Sequence, residues 1–421
     1  MKFNILCSGL ILLVALVSAC HAEKIGSFAV FTDVHLADKY HAGSDPKSLC
    51  IKGTGSAAYF GDTHCDAPIQ LIDSAVEFAA SLPDVNFYAF LGDILPQKAT
   101  EKKEDLKFTR DQLEESIDKM GSVMRKHLAG RDVMLSLGNH DMVPLYHHNA
   151  KSTWLYSRVA HKYWQDFFHP NERDSFAKGA FYYRDFYKIG LRVIVINTNL
   201  YSSTNLPHVN KDVLGQWKWF QSLVEDCPFK ILVLGHNPPG VMGNNDMPMM
   251  WAEGAKILMQ NMNNKNIIGQ IYGHLHTDTF IVGDTHGIWM TPAISPMDEE
   301  PLYSGNNPGI RVFHIGYTPK KGVHLMDYDQ YYLDLSEYSV EESKAHWKHS
   351  YKWSDYGVSD MTISSVKKVL HKIKTNEETR NLFVERNTNG VPNKKMSKRI
   401  INQLVCAVEH WKWHIYYACL I

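Results

Sequence analysis

The feature that most constrains the fold is a pattern that occurs five times, in which a short apolar run ends in a loop with polar side chains. The five junctions read GSFAVFTDVH, VNFYAFLGDIL, DVMLSLGNHD, FKILVLGHNPPG and NIIGQIYGHLH. Amphipathic segments such as residues 69–82 and 106–128 lie between them. Strands that alternate with helices form layered α/β domains, whose loops converge on one crevice at the strand ends. The sequence therefore predicts an α/β fold with a site at these loops.

Each junction carries side chains that can bind a metal ion. They are Asp33 and His35, Asp93, Asn139 and His140, His236, and His274 and His276. Taken singly, each has an ordinary structural explanation, since aspartate caps helices and asparagine forms turns. The occurrence of metal-binding side chains at all five equivalent junctions favours one shared metal site instead. A bridging carboxylate with neutral donors suits two divalent cations, and imidazoles and carboxylates without cysteine suit zinc, iron or manganese.

Composition excludes some partners. The chain has 421 residues, 44% hydrophobic content and a formal net charge of −1. It has no overall basic character, so neither a nucleic-acid polymer nor an anionic membrane is expected as its main partner. A monomer that acts on a small molecule is the expectation. The basic stretch at residues 393–399 is interpreted as a solvated surface.

Residues 1–22 resemble a secretory signal peptide, with a charged start, an apolar centre and small residues at the end. The apolar centre is too short to favour a membrane span. Cleavage after Ala22 fits, but the sequence LVSAC also fits a bacterial lipoprotein signal in which Cys20 is lipidated. In both cases the mature protein is predicted to be secreted, to the cell exterior or the periplasm, where disulfides form.

Five cysteines follow the predicted signal. They are Cys50, Cys65, Cys227, Cys406 and Cys419. Their spacing predicts two local bridges, the first between Cys50 and Cys65 and the second between Cys406 and Cys419. Cys227 is then left unpaired.

The alternating pattern ends near residue 325. A strand-like stretch, HLMDYDQYYLDL, is followed by the helical stretches TISSVKKVLHKIK and SKRIINQLVCAVEHWKWHIYY. The predicted organisation is a catalytic domain at residues 23–325 and a small strand-plus-helical C-terminal subdomain at residues 326–421, which contains the second bridge.

The ordered motifs D-x-H, GD, GNHD, GH and GHxH resemble the signature of the calcineurin-type metallophosphoesterases. This resemblance implies a double β-sheet sandwich flanked by helices. The stretches FGDTHCDAP, GHNPPG and NNPGIRVF and the paired cysteines near the C-terminus resemble the acid sphingomyelinase-like phosphodiesterase branch. The resemblance covers most of the chain after the predicted signal.

The resemblance also implies a role for each candidate residue. One metal ion is assigned to Asp33, His35, Asp93 and His276, and the second to Asp93, Asn139, His236 and His274, so that Asp93 bridges two divalent ions, expected to be zinc. A hydroxide between the two ions would attack phosphorus, and His140 would donate a proton to the leaving group.

The sequence departs from the family pattern in two ways. Relatives have a histidine shortly after the GD motif, where this chain has Gln97, which affects the edge of the substrate site. The sequence between the predicted signal and the first motif also contains no saposin-like lipid-presenting segment, so extraction of membrane sphingomyelin is not the expected activity.

Four functions are therefore compared. The favoured one is a secreted phosphodiesterase that acts on nucleotide-type substrates such as nucleoside triphosphates or CDP-alcohols. The alternatives are a sphingomyelin phosphodiesterase and a secreted metal-binding protein without catalysis, which would be expected to have lost some of the ligands. A purple acid phosphatase is rejected because it requires a tyrosine at the position of Pro96.

Overall fold

The computed structural model of the chain describes residues 22–97, 108–205, 211–243, 245–297, 305–391 and 396–421. The predicted signal peptide, with Cys20, lies outside these residues apart from Ala22. None of the helices within the described ranges combines the length and the apolar character needed to cross a bilayer.

Twelve strands lie in the described part of the chain. They are β1 (Glu23–Phe31), β2 (Phe87–Phe90), β3 (Val133–Leu135), β4 (Tyr182–Phe186), β5 (Leu191–Val195), β6 (Lys230–Leu234), β7 (Ile267–Tyr272), β8 (Thr279–Val282), β9 (Gly287–Met290), β10 (Gly309–Thr318), β11 (Gly322–Tyr332) and β12 (Lys348–Lys352).

These strands form two six-stranded sheets. The first has the order β12-β11-β10-β1-β2-β3, and the second has the order β4-β5-β6-β7-β9-β8. In the first sheet β1, β2 and β3 are parallel, whereas in the second β5, β6, β7 and β9 are parallel. The predicted α/β fold with a double sheet is confirmed.

Helices flank the two sheets. They are α1 (Ile69–Ser81), α2 (Arg110–Leu128), α3 (Thr153–Arg158), α4 (Pro170–Gly179), α5 (Gln216–Val224), α6 (Ala252–Asn261), α7 (Ile363–Thr375), α8 (Glu377–Asn387), α9 (Lys398–Glu409) and α10 (Trp413–Cys419). The predicted helix at residues 69–82 corresponds to α1. The one predicted at residues 106–128 corresponds to α2 from Arg110 onward, and its first two residues, 106 and 107, lie outside the described residues. Helix α2 begins with a reciprocal cap, in which Thr109 accepts from the backbone of Gln112 and the Gln112 side chain accepts from Thr109.

Aromatic rings connect the two sheets. Phe28 of β1 stacks on Phe87 of β2 and on Phe313 of β10, with ring centroids 4.6 and 5.1 Å apart. Phe87 also stacks on Phe186 of β4 in the second sheet, at 4.5 Å. Aromatic pairs of this kind add about 0.5–1.5 kcal/mol beyond their buried area. The contact between Phe87 and Phe186 therefore packs the first sheet against the second.

The C-terminal part is attached to both sheets. The predicted boundary at residue 325 falls within β11, which pairs with β10 on one side and β12 on the other. The division into domains at this residue stays a prediction. At the second sheet, the backbone N–H of Asp278 donates to Asn387 of α8 at 2.9 Å, and the Asn387 amide donates back to Asp278 at 3.0 Å. Helix α8 therefore supports the loop that follows His276.

The two predicted disulfides are confirmed. Cys50 is bonded to Cys65, and Cys406 is bonded to Cys419. Cys227 is free and partly buried, as the spacing predicted.

Candidate metal centre

The predicted ligands lie on five loops at the carboxyl ends of parallel strands. Loops after β1, β2 and β3 belong to the first sheet, and loops after β6 and β7 belong to the second. In chain order these loops carry Asp33 and His35, Asp93, Asn139 and His140, His236, and His274 and His276. Both sheets therefore contribute side chains to the candidate site.

The donor atoms form two groups that share Asp93. One ligand atom from each of Asp33, His35, Asp93 and His276 lies within 4.8 Å of the others, and the same is true of Asp93, His236 and His274. Asn139 extends the second group, since its Oδ1 atom lies 2.9 Å from Nε2 of His236. The grouping matches the ligand assignment implied by the family resemblance. The role of each residue as a ligand stays a prediction.

Two of the histidines are oriented by backbone carbonyls. The Nδ1–H of His35 donates to the carbonyl of Leu95 at 2.7 Å, and that of His236 donates to the carbonyl of Leu91 at 2.8 Å. A carbonyl oxygen can only accept, so in a neutral imidazole the lone pair is on Nε2. These Nε2 atoms face Asp93, at 3.7 Å for His35 and 3.1 Å for His236. Such an arrangement is typical of histidines that bind metals.

Burial sets the charge of the donors. It lowers the pKa of His35 to about 3 and that of His274 to about 3, so both imidazoles are neutral at pH 7. Burial disfavours the charged form of Asp93, but the neighbouring His236 and His140 outweigh it and hold the pKa well below the usual value. Neutral imidazoles beside a charged carboxylate are donors of the kind that divalent cations require. For His236, by contrast, burial is outweighed by Asp93 and Asp33, which raise the pKa to about 9, so this imidazole would release a proton when a cation binds. The residues present therefore fit a pair of such ions.

Five of the candidate ligands have a left-handed backbone. They are Asp33, His35, Asp93, His274 and His276, with φ values of 51°, 38°, 62°, 72° and 60°. This conformation is uncommon for residues other than glycine and costs of order 1–3 kcal/mol at each position. Unfavourable backbone geometry concentrated at one set of side chains is typical of functional sites.

Two glycines of the motifs are required because the backbone at these positions passes close to a carboxylate. A β-carbon on Gly138 would lie 1.9 Å from Oδ1 of Asp93, and one on Gly273 would lie 2.4 Å from Oδ2 of Asp33. Each glycine therefore lets a backbone segment pass directly beside a carboxylate.

His140 lies beside the donor groups and belongs to neither. Its backbone N–H donates to Oδ1 of Asp93 at 2.8 Å, and its ring centroid is 4.9 Å from that of His35. Its Nε2 atom lies 3.0 Å from the hydroxyl of Tyr146. This position agrees with a role other than metal binding, which stays a prediction.

The sequence interpretation missed two residues around this site. Tyr146 has no motif that marks it. Asp141, by contrast, is the last residue of GNHD, and its carboxylate accepts the backbone N–H groups of Asp93, Ile94 and Gly138 at 2.7–2.9 Å. Burial and the charge of Asp93 raise its pKa to about 7. The aspartate at the end of the motif could have indicated such a buried acceptor.

Comparison with known proteins agrees with this geometry. A family model described as calcineurin-like phosphoesterase matches residues 27–278. A second model, described as acid sphingomyelin phosphodiesterase C-terminal region, matches residues 284–420.

Three relatives are similar over most of the chain. "Cyclic GMP-AMP phosphodiesterase SMPDL3A" of Mus musculus is 29% identical over 384 residues, which cover 86% of this chain and 84% of the relative. "Acid sphingomyelinase-like phosphodiesterase 3b" of Mus musculus is 26% identical over 424 residues, covering 94% and 90%. "Sphingomyelin phosphodiesterase A" of Dictyostelium discoideum is 27% identical over 387 residues, covering 86% and 62%.

Proposed function

Because the chain belongs to the calcineurin-like phosphoesterase family and is a metal-dependent phosphodiesterase, we propose that it hydrolyses phosphodiester or phosphoanhydride bonds of small, nucleotide-type molecules. The observation that carries the proposal is the meeting of seven donor side chains from five loops in two groups that share Asp93. Two divalent ions held in this way could bind a phosphoryl group between them and stabilise both the attacking and the leaving oxygen.

The proposed ligands are those of the family pattern. Asp33, His35, Asp93 and His276 would hold one ion, and Asp93, Asn139, His236 and His274 the other. When bound, the two ions would polarise the phosphoryl group and supply a nucleophile from water. Zinc is the proposed metal, because imidazole and carboxylate donors suit it and no cysteine is among them.

Two residues of the chain would assist the departure of the leaving group. His140 is proposed to donate a proton to the departing oxygen, since it lies next to the donors and is not one of them. Tyr146 would orient its imidazole through the 3.0 Å contact at Nε2. A positioned proton donor contributes about 10²–10⁴-fold to the rate.

A nucleotide-type substrate is proposed over a lipid. The name of one relative specifies a cyclic dinucleotide, and the match with this chain covers 84% of that relative's length. Sphingomyelin is the second candidate, because other relatives carry that lipid in their names. The loops around the shared site determine which substrate binds, so the fold alone does not distinguish a nucleotide from a lipid.

Export of the protein is part of the proposal. Two disulfides within the described residues fit an oxidising compartment. Cleavage after Ala22 or lipidation at Cys20 remain the two possible fates of the signal, and mass analysis of the mature N-terminus distinguishes them.

A substrate panel tests the proposed function. ATP, CDP-choline, a cyclic dinucleotide, bis-nitrophenyl phosphate, nitrophenyl phosphate and sphingomyelin vesicles would each be incubated with the zinc-loaded protein. We expect the nucleotides and the nitrophenyl diester to be cleaved faster than nitrophenyl phosphate and sphingomyelin. Preferential cleavage of sphingomyelin would favour the lipid candidate instead.

The same panel would be run on two variants. Asp93→Asn should lose at least about 100-fold in rate, because even changes to residues that merely support ligands cost 10–100-fold. Asp226→Asn, an exposed change in the loop before β6, is the matched control and should behave as wild type. Normal turnover and normal metal content in Asp93→Asn would refute the metal assignment.

A further inference from the structure

Gln97 contacts one of the candidate ligands. It follows Asp93 by four positions, its side chain is buried, and its Nε2 atom lies 2.9 Å from Nδ1 of His276. The two residues are 179 positions apart in the chain. The contact therefore joins the loop after β2, in the first sheet, to the loop after β7, in the second.

The other end of the Gln97 amide has an unused acceptor. Its Oε1 atom is buried and has no hydrogen-bond partner among the described residues. A buried acceptor without a partner costs about 1–3 kcal/mol. Rotation of the amide by 180° exchanges its nitrogen and oxygen at almost no change in shape, and it brings Oε1 to Nδ1 of His276. That rotation gives the acceptor a partner and moves the two amide N–H groups to the position that Oε1 occupies in the structure.

The orientation of the amide decides which nitrogen of His276 carries the proton. If Oε1 faces Nδ1, the imidazole donates from Nδ1 and keeps its lone pair on Nε2. Nε2 is the atom that faces the donor groups, 3.5 Å from Oδ1 of Asp33 and 3.0 Å from Nε2 of His35. Gln97 would then accept the Nδ1–H of His276. The carbonyls of Leu95 and Leu91 accept the corresponding Nδ1–H groups of His35 and His236.

The backbone of Gln97 is held in place independently of its side chain. Its N–H donates to Oδ2 of Asp66 at 2.9 Å, and Oδ1 of Asp66 accepts from the hydroxyl of Ser295 at 3.2 Å. Asp66 directly follows Cys65 of the first disulfide. A substitution of the Gln97 side chain therefore leaves these anchoring contacts intact.

We propose that Gln97 is a positioning residue that accepts the Nδ1–H of His276 through Oε1 and keeps Nε2 of His276 available to a metal ion. The inference rests on the proposed function, because it requires that His276 is a metal ligand. It assigns a role to the position at which the sequence departs from the family histidine.

Zinc affinity tests the inference without any measurement of turnover. The full mature protein and its variants would be titrated with zinc against a chromophoric chelator, which gives the number of ions bound and the Kd of each. Gln97→Met removes the acceptor at similar volume and should weaken the binding of one ion by about 10–100-fold, the usual effect of losing a partner of a ligating histidine. Gln97→Glu keeps an acceptor and should bind zinc at least as tightly as wild type.

Gln270 provides a matched control. It is buried, and its Nε2 atom lies 2.8 Å from Nε2 of His286, which is not a candidate ligand. Gln270→Met also removes a buried contact between glutamine and histidine, so it should lower stability and leave zinc affinity unchanged.

Two results would overturn the inference. One is wild-type affinity for both ions in Gln97→Met, and the other is an equal loss in the Met and Glu variants, which would indicate a purely structural role. Failure of the wild-type protein to bind zinc, or another divalent ion, would instead refute the proposed function and with it the premise of the inference.

Discussion

At the scale of single residues, His140 offers a direct test of chemistry. If it donates a proton to the leaving oxygen, its contribution depends on the leaving group, because a good leaving group departs as an anion without help. We expect His140→Gln to lose about 10²–10⁴-fold in kcat/KM on a substrate with an alkoxide leaving group, and much less on a nitrophenyl diester. Measurement of both substrates at saturating zinc checks the prediction.

Metal content is the control for this variant. His140 also donates its backbone N–H to Asp93, a contact that the substitution retains. Zinc stoichiometry should therefore stay as in wild type. Equal losses on the two substrates, together with weaker zinc binding, would contradict the role as proton donor and favour one in ordering the loop.

Single residues also show what a sequence reveals about a site. The positions of Asp93 and His236 after buried strands could be predicted, because a polar side chain at the end of an apolar run is a local signal. The partner of Gln97 could not, because His276 is 179 positions away and only the packing of two sheets brings them together. Tyr146 likewise reaches His140 through a loop whose path no motif specifies.

At the scale of elements, one aspartate joins three neighbouring strands. Asp329 of β11 accepts from Nε2 of His314 in β10 at 2.6 Å and from Nε2 of His349 in β12 at 2.7 Å. Burial would raise the pKa of Asp329, but these hydrogen bonds outweigh it and lower the pKa from 3.8 to about 2. The charged carboxylate therefore stabilises this edge of the first sheet.

Because the pKa of Asp329 is lowered in the folded state, the free energy of unfolding should depend on pH. A pKa that is lower in the folded state adds stability above the unfolded value, and this stability is lost as the pH falls from about 4 towards 2. We expect Asp329→Asn to lower the free energy of unfolding by about 2 kcal/mol at pH 6, since one pKa unit corresponds to about 1.4 kcal/mol. The difference from wild type should shrink as the pH approaches 2. Urea unfolding at several pH values measures it.

A thermodynamic cycle with three substitutions supplies the control. In a background with His314→Gln and His349→Gln, the same Asp329→Asn change should have a smaller effect, because both histidine hydrogen bonds are gone and only Lys352, whose Nζ atom lies 3.6 Å from Oδ1 of Asp329, still contacts the carboxylate. A difference between Asp329→Asn and wild type that is the same at pH 3 and pH 6 would argue against the charge of the Asp329 carboxylate as its cause.

The elements themselves were predictable to different degrees. The apolar runs that form β1, β2, β3, β6 and β7 are local signals, as are the C-terminal helices. The partition of these strands between two sheets rested on the family resemblance, because a run of apolar residues carries no information about its neighbours. For the same reason the change of pattern near residue 325 did not reveal that β11 continues the first sheet.

At the scale of the whole molecule, the candidate site connects the two sheets. Asp33 and Asp93 come from the first, and His236 and His274 come from the second. Ions bound by all four would act as a cross-link in the folded state. We expect removal of zinc by a chelator to lower the free energy of unfolding by about 2.7 kcal/mol per ion, relative to free zinc at 100 times the Kd. Denaturant unfolding with and without zinc measures this change.

Asp93→Asn is the matched comparison for the zinc effect. This variant should unfold at nearly the same denaturant concentration with and without zinc, because the shared carboxylate is lost. If zinc raised the free energy of unfolding equally in the variant and in wild type, the stabilising ion would be bound at a site that does not include Asp93.

The position of β1 inside the first sheet has a consequence for biogenesis. β1 is made early, yet one of its edges pairs with β10, which follows almost 280 residues later at Gly309–Thr318. Until that segment is synthesised, a strand containing Phe28, Val30 and Phe31 presents an unpaired apolar edge of the kind that aggregates. Export of an unfolded chain, followed by folding after release, would avoid this exposure. Holding chaperones that bind the N-terminal third should therefore raise the yield of native protein.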